Sequence, residues 1–441
     1  MLEALRNTFR LPDLRRKILY TLFILLIYQF AAHVTVPGVD RGALDTLFKD
    51  ENQGFLSVLN LLSGGAVSNF SVIANGVYPY ITASIILQLL VPIIPQLEAI
   101  SKEPGGQDKI NRYTYYLSIP MAALQAIGQI NIFQSQVDQV QPGTTLIPGF
   151  GFGAGSDLLT TVAVITTMTA GTMFAIWLGE LITEQGIGNG ISIIIFAGIV
   201  ARVPANLFNL LQTHFVFNLT AFLVLSIVTV IVIVVIQEGE RRIPVQYGKR
   251  VRGRKLYGGG QTYVPLKVNT AGMIPLIFAQ SIVTFPAIVA GFFSGEIATQ
   301  IQNTFGNQRG LTYWVVYFLL VVGFTYFYTG VMIQNQNLAE NLQKNGGFIP
   351  GIRPGRRTQE YINRIVNRIT LVGALFLGAV AILPGFMQIV QRWVLGPAAV
   401  SRNPALVISS AGLIIVVGVV IDTMRQLEAQ LTMRNYDGFI R

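Results

Sequence analysis

Ten apolar stretches without an Asp, Glu, Lys or Arg in their interior constrain the fold of this 441-residue chain more than any other feature. A helix needs roughly 20 consecutive apolar residues to cross the hydrocarbon core of a bilayer. Because 52% of the residues are hydrophobic and only 12% are charged, the chain cannot coat a large water-facing surface. The pattern predicts an all-α integral membrane protein with ten transmembrane helices at about 18–36, 73–94, 113–134, 158–179, 189–201, 215–236, 268–293, 310–334, 369–391 and 403–421.

The basic residues predict how these helices are oriented. When the N-terminus is assigned to one side of the membrane and the spans alternate, 25 of the 31 Lys and Arg residues lie on the N-terminal side. Those on the other side are Arg41, Lys49, Arg202, Arg309, Arg392 and Arg402. Because loops rich in Lys and Arg stay in the cytoplasm, both termini are predicted to be cytoplasmic, including a tail at 425–441.

An internal repeat relates the second and seventh spans. Residues 76–86 and 272–282 both fit the pattern G-x-x-P-x-I-x-A-x-x-I, at a constant offset of 196 positions. With five spans in each half, equivalent spans must cross the membrane in opposite directions. The repeat therefore predicts two inverted five-helix halves, 1–210 and 211–441, with a pathway between them. A chance coincidence of residues common in membrane spans is the alternative.

Residues for chemistry on a bound substrate are scarce. The chain has no cysteine, and its two histidines, His33 and His214, are far apart in sequence. Ion-coupled carriers usually keep ionisable groups inside their spans, whereas here Glu180 and Glu184 lie at a span end, where a solvated or capping role is expected. No nucleotide-binding or metallohydrolase motif occurs. We predict no enzyme activity, no metal and no cofactor.

Two cytoplasmic loops are longer than simple connections require. The first covers about 237–267, where alternating Val, Tyr and Leu near Ile243–Leu256 predict a small β-hairpin. The second covers about 335–368 and contains Phe348–Gly355. Arginine-rich loops of this kind can contact RNA phosphates or an acidic protein surface. An alternative is that their charge only anchors the chain with its positive side inward.

The connection between the first two spans contains a short apolar segment at 55–70 with a hinge at Gly64-Gly65. This segment is too short to cross a bilayer. It is predicted to be a partly re-entrant helix on the external side, and an interfacial helix on the outer leaflet is the alternative.

The chain resembles the SecY family of protein-conducting channels over nearly its whole length. The matching stretches are Phe70–Leu90, Gly179–Gly198, Lys267–Pro275, Phe348–Gly355 and the closing Arg434–Phe439. One departure follows Pro354, where Gly-Arg-Arg-Thr stands and many members of the family have an acidic residue near Arg356. The resemblance implies a clamshell of two halves around a central hourglass pore that passes unfolded preproteins.

The resemblance also implies roles for individual residues. The constriction of the pore would be a ring of six isoleucines: Ile81, Ile85, Ile191, Ile195, Ile277 and Ile415. A plug would occupy the external segment and include Ser57, Leu61, Gly64, Gly65 and Ser68. A lateral gate between the second and seventh spans would include Pro79, Thr82, Gln88, Asn269, Pro275 and Gln280. For any single isoleucine, ordinary packing in the lipid or the core is the alternative.

The partners implied by the resemblance are the small membrane subunits SecE and SecG, the motor ATPase SecA, the ribosome, preproteins bearing a signal sequence, and membrane lipid. The expected docking residues are Arg241, Arg242, Lys249, Arg250, Arg353, Arg356 and Arg357. The implied location is the bacterial cytoplasmic membrane. Two other classes stay open on sequence grounds. A secondary carrier would share the inverted repeat, but it should have polar ligands inside its spans. A membrane-embedded enzyme should have facing acids or histidines there.

Overall fold

The computed structural model of the chain describes residues 11–42, 44, 66–140, 143–151, 157–212, 217–247, 250–252, 255–257, 261–272, 274–290, 295–301, 304–305, 310–336, 338–395 and 410–437. The helices in these ranges are α1 Pro12–Ala31, α2 Tyr78–Leu90, α3 Pro95–Lys102, α4 Gly106–Val140, α5 Leu158–Gln185, α6 Gly190–Gln212, α7 Phe217–Glu238, α8 Ile274–Ala290, α9 Glu296–Ile301, α10 Leu311–Gln336, α11 Leu338–Lys344, α12 Arg356–Leu395 and α13 Ser410–Asp437. The strands are β1 Glu240–Tyr247, β2 Arg250–Arg252, β3 Lys255–Tyr257, β4 Gln261–Lys267 and β5 Gly347–Phe348.

Several of these helices meet the requirements for membrane spans. Within the described ranges, three helical segments are long and apolar enough to cross a bilayer: Leu158–Gln185, Leu311–Lys344 and Arg356–Leu383. A fourth span results if α2 and α3, which bend by 105° at Val91–Ile94, are taken together. Shorter apolar helices cover Gly190–Ala201, Ile227–Glu238 and Ile274–Ala287. The protein is therefore mostly helical with several apolar helices, and the number of ten spans stays a prediction.

The surfaces of these helices are apolar where a soluble protein would be polar. On α1, Leu22, Leu26 and Phe30 follow one another at intervals of four residues and are all exposed. Such a spacing places them on one face of the helix. Exposed Ile227, Ile231 and Val235 form the same kind of stripe on α7. Contiguous exposed apolar side chains of this extent are stable in contact with lipid tails and unstable in water.

The residues divide into two compact units. The first contains residues 1–223, 281–313 and 384–441, and the second contains 224–280 and 314–383. These two units do not coincide with the halves that the repeat predicts. The halves 1–210 and 211–441 therefore stay a prediction.

The first unit has a core that links the end of α1 to α4 and α5. α2 packs along α4, α4 against α5, α5 against α6, and α6 against α13. Buried Phe70, which precedes α2, meets Phe133 of α4 edge to face, with the ring centroids 5.4 Å apart. Aromatic pairs in this geometry stabilise a core beyond the area that they bury. The segment that leads into α2 is thereby packed against α4.

Gly171 of α5 gives a direct test of this packing. A Cβ atom at Gly171 would overlap the carbonyl oxygen of Val72, so α5 and the segment before α2 touch through their backbones. We expect Gly171→Ala to lower the free energy of unfolding by about 1–3 kcal/mol, the usual cost of overpacking a core. Gly323→Ala in α10 is the matched control, because a Cβ there has no neighbour within 4 Å. Thermal unfolding of both purified variants in detergent measures the difference. Equal melting temperatures would contradict this packing.

Asp157 caps the N-terminus of α5. Its carboxylate accepts hydrogen bonds from the hydroxyl of Thr160 (2.7 Å) and the backbone N–H of Leu159 (3.1 Å). These bonds, the one from Thr160 first, lower the pKa of the Asp157 carboxyl below its ordinary value. A lowered pKa means that the cap stabilises the helix above the unfolded-state pKa of about 4 and loses this effect as the pH falls through the folded-state pKa.

We therefore expect a pH-dependent opening of the first turn of α5. Amide hydrogen exchange at Leu159 and Thr160, corrected for intrinsic rates, should be slow at pH 7 and faster below about pH 4. Asp157→Ala should show fast exchange at both pH values. Asp157→Asn keeps a capping side chain without the charge, so it should stay protected at both. A wild-type protein whose protection does not change with pH would contradict the role of the carboxylate.

The second unit contains a three-stranded sheet of order β4-β1-β5. β1 and β4 are antiparallel neighbours, with Ile243 opposite Val264. In the sequence between these two strands, β2 and β3 form a separate short antiparallel pair. The predicted hairpin in the first loop is confirmed, but its main strands are 240–247 and 261–267 rather than strands within 243–256. The inner face of the sheet packs against α10, α11 and α12 through Ile333, Leu342 and Ile362.

Candidate functional site

The two copies of the sequence repeat begin their helices in the same way. Gly76 has φ +54° and Gly272 has φ +66°, the left-handed region that only glycine adopts without strain. α2 begins two residues after Gly76, and α8 begins two residues after Gly272. Pro79 and Pro275 then occupy the second position of each helix, where the missing N–H costs nothing. Each unit therefore contains the same local start of a helix, which supports the repeat.

Burial within the two copies also agrees. Ala83 and Ala279 are both fully buried. Ile81 and Ile277 are both half-buried, so each copy leaves part of an isoleucine accessible two residues before its buried alanine. These are the isoleucines that the resemblance assigns to the pore ring. Their membership of one ring stays a prediction.

The other four predicted ring residues lie in the first unit. Ile85 is buried one helical turn after Ile81 on α2. Ile195 of α6 and Ile415 of α13 are both buried, and these two helices pack together. Ile191 is half-buried, and its Cγ1 would lie 3.1 Å from a Cβ placed on Gly179 of α5. Helices α6 and α13 are thus in contact, and Ile191 also packs on α5. That these isoleucines share one ring stays a prediction.

The predicted gate residues have defined polar contacts inside each unit. In the first unit, Thr82 accepts a hydrogen bond from Nε2 of Gln125 on α4 (3.3 Å), and Gln88 donates to Ser84 (3.1 Å). In the second, buried Asn269 donates from Nδ2 to the carbonyl oxygen of Gly272 (3.0 Å). Gln125 was not predicted from the sequence, because its contact with α2 depends on how the helices pack. Pro275 is buried and Gln280 half-buried on α8.

Most of the predicted plug lies outside the described residues, namely Ser57, Leu61, Gly64 and Gly65. Ser68 is half-buried in the turn at 66–70 that follows them. After this turn, Thr35 and Ser71 form an isolated antiparallel bridge. The chain between α1 and α2 is therefore held at both of its described ends.

The two loops that were predicted to be cytoplasmic meet in the sheet of the second unit. β5 of the second loop pairs with β1 of the first, with Gln246 opposite Phe348. Along β1, buried Ile243 and Val245 alternate with exposed Arg242 and Pro244. Because successive side chains of a strand point to opposite faces, Arg241 and Arg242 are directed to different sides of the sheet. They cannot act as one paired contact for a partner.

Arg242 is already engaged within the sheet. Its Nε donates to Oε1 of Glu240 (2.6 Å), and its guanidinium carbon lies 4.7 Å from the ring centroid of Tyr263. The hydrogen bond to Glu240, followed by the field of Tyr263, raises the pKa of the Arg242 guanidinium above its ordinary value. Arg242 is therefore held between Glu240 and the ring of Tyr263 on the outer face.

Arg353 lies at a rigid turn of the second loop. The backbone N–H of Ile352 donates to the carbonyl oxygen of Ile349 (3.1 Å), with Pro350 and Gly351 (φ +80°) at the two central positions. This is the geometry of a type II turn. The carbonyl of Arg353 then accepts a hydrogen bond from the hydroxyl of buried Thr358 (2.9 Å). The backbone is fixed on both sides of Arg353, whose side chain is exposed.

The remaining predicted docking residues differ in what they contact. Nε of Arg356 donates to Oε1 of Glu360 (3.2 Å), one turn further along α12, while Arg357 is exposed beside it. Arg250 pairs with Tyr257 in the β2–β3 ladder. Lys249 lies outside the described residues.

Comparison with known proteins identifies the family. The profile of the SecY family matches residues 71–424. The chain belongs to the SecY family. The protein translocase subunits SecY of Streptomyces scabiei and Halalkalibacterium halodurans are 40% and 42% identical to it, and each alignment covers 100% of both chains.

Solved structures share the SecY fold with this chain. One is a SecY protein whose plug domain stabilises the closed state of the translocation channel and maintains a membrane seal. It gives a TM-score of 0.58 at 18% identity, covering 94% of this chain and 91% of that one. Sec61 in the canine ribosome-channel complex from the endoplasmic reticulum gives 0.56 at 17% identity, with the same coverage. The chain therefore has the SecY/Sec61 channel fold and is a membrane protein.

Proposed function

We propose that this chain is the pore subunit of a protein-conducting channel that passes unfolded preproteins across the bacterial cytoplasmic membrane and releases apolar segments sideways into the lipid. The proposal rests on the 40% and 42% identity, over the full length of both chains, to proteins named protein translocase subunit SecY. A fold neighbour that is a translocation channel with a plug and a membrane seal supports it.

The proposed architecture is a clamshell of ten transmembrane helices. Its halves are 1–210 and 211–441, related by inversion across the membrane. The equivalent helix starts at Gly76 and Gly272 support this arrangement, because they recur at the same offset as the sequence repeat. Both termini are proposed to lie in the cytoplasm, as the asymmetric distribution of Lys and Arg indicates.

The proposed pore is closed by apolar side chains. Ile81 and Ile277, equivalent in the repeat and each partly accessible, would form the ring with Ile85, Ile191, Ile195 and Ile415. A narrow aliphatic neck excludes water, and an ion inside it would lose its hydration without compensation. Such a neck can also part around a polypeptide, because aliphatic contacts are non-directional. The segment 55–70 would act as the plug, and α2 with α8 would border the lateral gate.

The proposed partners dock on the surface formed by the two cytoplasmic loops, which includes the sheet, the turn at 349–352 and the start of α12. The canine Sec61 neighbour belongs to a ribosome-channel complex, which supports a ribosome as one partner. The motor ATPase SecA is proposed as another, and SecE and SecG as small membrane subunits. Exposed Arg353 and Arg357 offer a basic surface to such partners, since their guanidinium groups can bind phosphates or carboxylates bidentately.

The channel is proposed to be passive, with all work supplied by partners. The test is reconstitution of the chain with its small subunits into vesicles, with a signal-bearing preprotein, the motor ATPase and ATP. We expect the preprotein to become protected from external protease only when both motor and ATP are present. ATP turnover by the chain alone, or uptake of a small solute driven by a proton gradient, would contradict a passive channel.

A further inference from the structure

A groove in the second unit lies between α12 and the helices α10 and α11. Its volume is about 430 Å³, and its floor contains the buried apolar side chains of Ile333, Ile362 and Val366. Gly330 of α10 also lines the groove and gives it room, because a Cβ atom there would have no neighbour within 4 Å. A volume of several hundred Å³ is typical of a ligand site. None of the residues assigned above to the ring, the gate, the plug or docking lines this groove.

Three carboxamides form a row along the α12 side of the groove. Gln359, Asn363 and Asn367 line it at intervals of four residues, and all three are exposed. In the part of the chain that the structure describes, none of their side chains is hydrogen-bonded to another residue. Because an α-helix rises 1.5 Å per residue, successive carboxamides lie about 6 Å apart along the helix axis. The row therefore offers three sets of hydrogen-bond donors and acceptors to a ligand.

This spacing matches the backbone of an extended polypeptide. A strand rises about 3.3 Å per residue, and every second residue points its N–H and C=O groups to the same side, so these groups recur about every 6.6 Å. A carboxamide has a donor and an acceptor side by side, and it can bind the C=O and the N–H of one residue together. Such main-chain hydrogen bonds do not depend on the sequence of the ligand. The apolar floor can contact its side chains.

The charge of the groove suits a neutral backbone better than a lipid headgroup. Among the lining residues that the structure describes, Glu340 is the charged one, and its Oε1 accepts a hydrogen bond from Nζ of Lys344 (2.9 Å). A phosphate would be repelled by this carboxylate, and no Lys or Arg is among these lining residues to bind it. A peptide backbone carries no charge and satisfies both the donors and the acceptors of the carboxamides.

We propose that this groove binds an extended segment of the preprotein through its backbone before the segment enters the channel. The proposal rests on the channel function above. The row at 359–367 and α11 belong to the loop at about 335–368, which is predicted to be cytoplasmic, so the groove would be open to an unfolded chain on the side from which it arrives. Binding there raises the local concentration of the preprotein. It should therefore lower the apparent KM for translocation and leave the maximal rate unchanged.

The binding experiment uses the full chain with its small subunits in nanodiscs of phosphatidylcholine and phosphatidylglycerol. The ligand is a short fluorescent peptide of alternating Val and Ser residues, and fluorescence anisotropy gives its Kd. The triple replacement Gln359→Met, Asn363→Leu and Asn367→Leu keeps the size of the side chains and removes their hydrogen bonds. We expect it to raise the Kd at least tenfold, since each lost hydrogen bond weakens binding about fivefold. The melting temperature should stay unchanged, because the three side chains are exposed.

Two controls separate backbone binding from other modes. The same peptide with N-methyl groups on alternate residues lacks the donors, so it should bind the wild type at least tenfold more weakly. Gly330→Leu fills the groove and should weaken binding of the unmodified peptide, whereas Gly323→Leu should not. Gly323 is on the same helix and also has no neighbour within 4 Å of a Cβ atom, but it does not line the groove.

An unchanged Kd in the triple variant would overturn the proposal. Equal binding of the N-methylated peptide would overturn it too, and would indicate a lipid chain or a partner helix as the occupant. Translocation of a preprotein into vesicles then tests the role of the groove: the triple variant should raise the apparent KM about tenfold at an unchanged maximal rate. An unaltered KM would overturn preprotein capture. A wild-type chain that binds the peptide but translocates no preprotein with motor and ATP would instead overturn the channel function.

Discussion

Replacing Ile81 and Ile277 together with asparagine should raise the resting ion conductance of the reconstituted channel by at least about tenfold. The two residues occupy the same place in the repeat and are both partly accessible. Asparagine gives the neck hydrogen-bonding groups, so water can enter and an ion no longer has to shed its hydration in a purely aliphatic environment. Single-channel recording in planar bilayers measures the effect. Deletion of 57–68, the predicted plug, should increase it further.

The repeat provides a matched control for this substitution. Ile86 and Ile282 occupy its last position and are also half-buried. They lie five residues further along each helix and therefore about 140° around its axis from the ring positions. The double replacement Ile86→Asn and Ile282→Asn should leave the conductance near that of the wild type. An equal leak in both double variants, or a tight channel in both even without the plug, would contradict the pore assignment.

Arg353→Glu should lower partner-driven translocation by roughly tenfold or more. It replaces a positive guanidinium with a carboxylate, which an acidic or phosphate-bearing partner surface repels. The turn at 349–352 and the bond from Thr358 hold the backbone independently of the Arg353 side chain. Expression, membrane insertion and melting temperature should therefore stay unchanged. The measurement is the rate of preprotein uptake into vesicles at several motor concentrations.

Two further variants separate docking from general charge effects. Arg353→Lys keeps the charge without the bidentate geometry, so a partial loss is expected. Arg41→Glu makes the same charge change at an exposed position predicted to lie on the opposite side of the membrane. It should leave the rate unaltered. Full activity of Arg353→Glu with normal expression would contradict a docking role for this residue.

Local signals explain which elements could be predicted from the sequence. Gly76 and Pro79 determine the start of α2 through backbone conformation alone, and their counterparts at 272 and 275 do the same for α8. The apolar stretches also predict helices, because a segment inside the bilayer must satisfy its backbone hydrogen bonds without water. The type II turn before Arg353 follows from its Pro-Gly pair.

Long-range pairing explains what could not be predicted. Alternation in the first loop indicates strands, but β1 extends from 240 to 247 because β4 offers a partner for that length. Nothing in the sequence indicates that Gly347–Phe348 would pair with β1 from another loop. The contact of Gln125 with Thr82 depends on helix packing in the same way. For the six isoleucines, the sequence and the resemblance give the candidates, and their convergence is a prediction.

The most direct test of the account is whether a polypeptide in transit touches the isoleucine ring. The chain has no cysteine, so single cysteines can be placed at will in an otherwise natural sequence. A preprotein with one cysteine, arrested midway, should form a disulfide with Ile81→Cys and with Ile277→Cys, and not with Ile86→Cys or Ile282→Cys. Disulfides that form equally at all four positions, or only at 86 and 282, would contradict a pore lined by this ring.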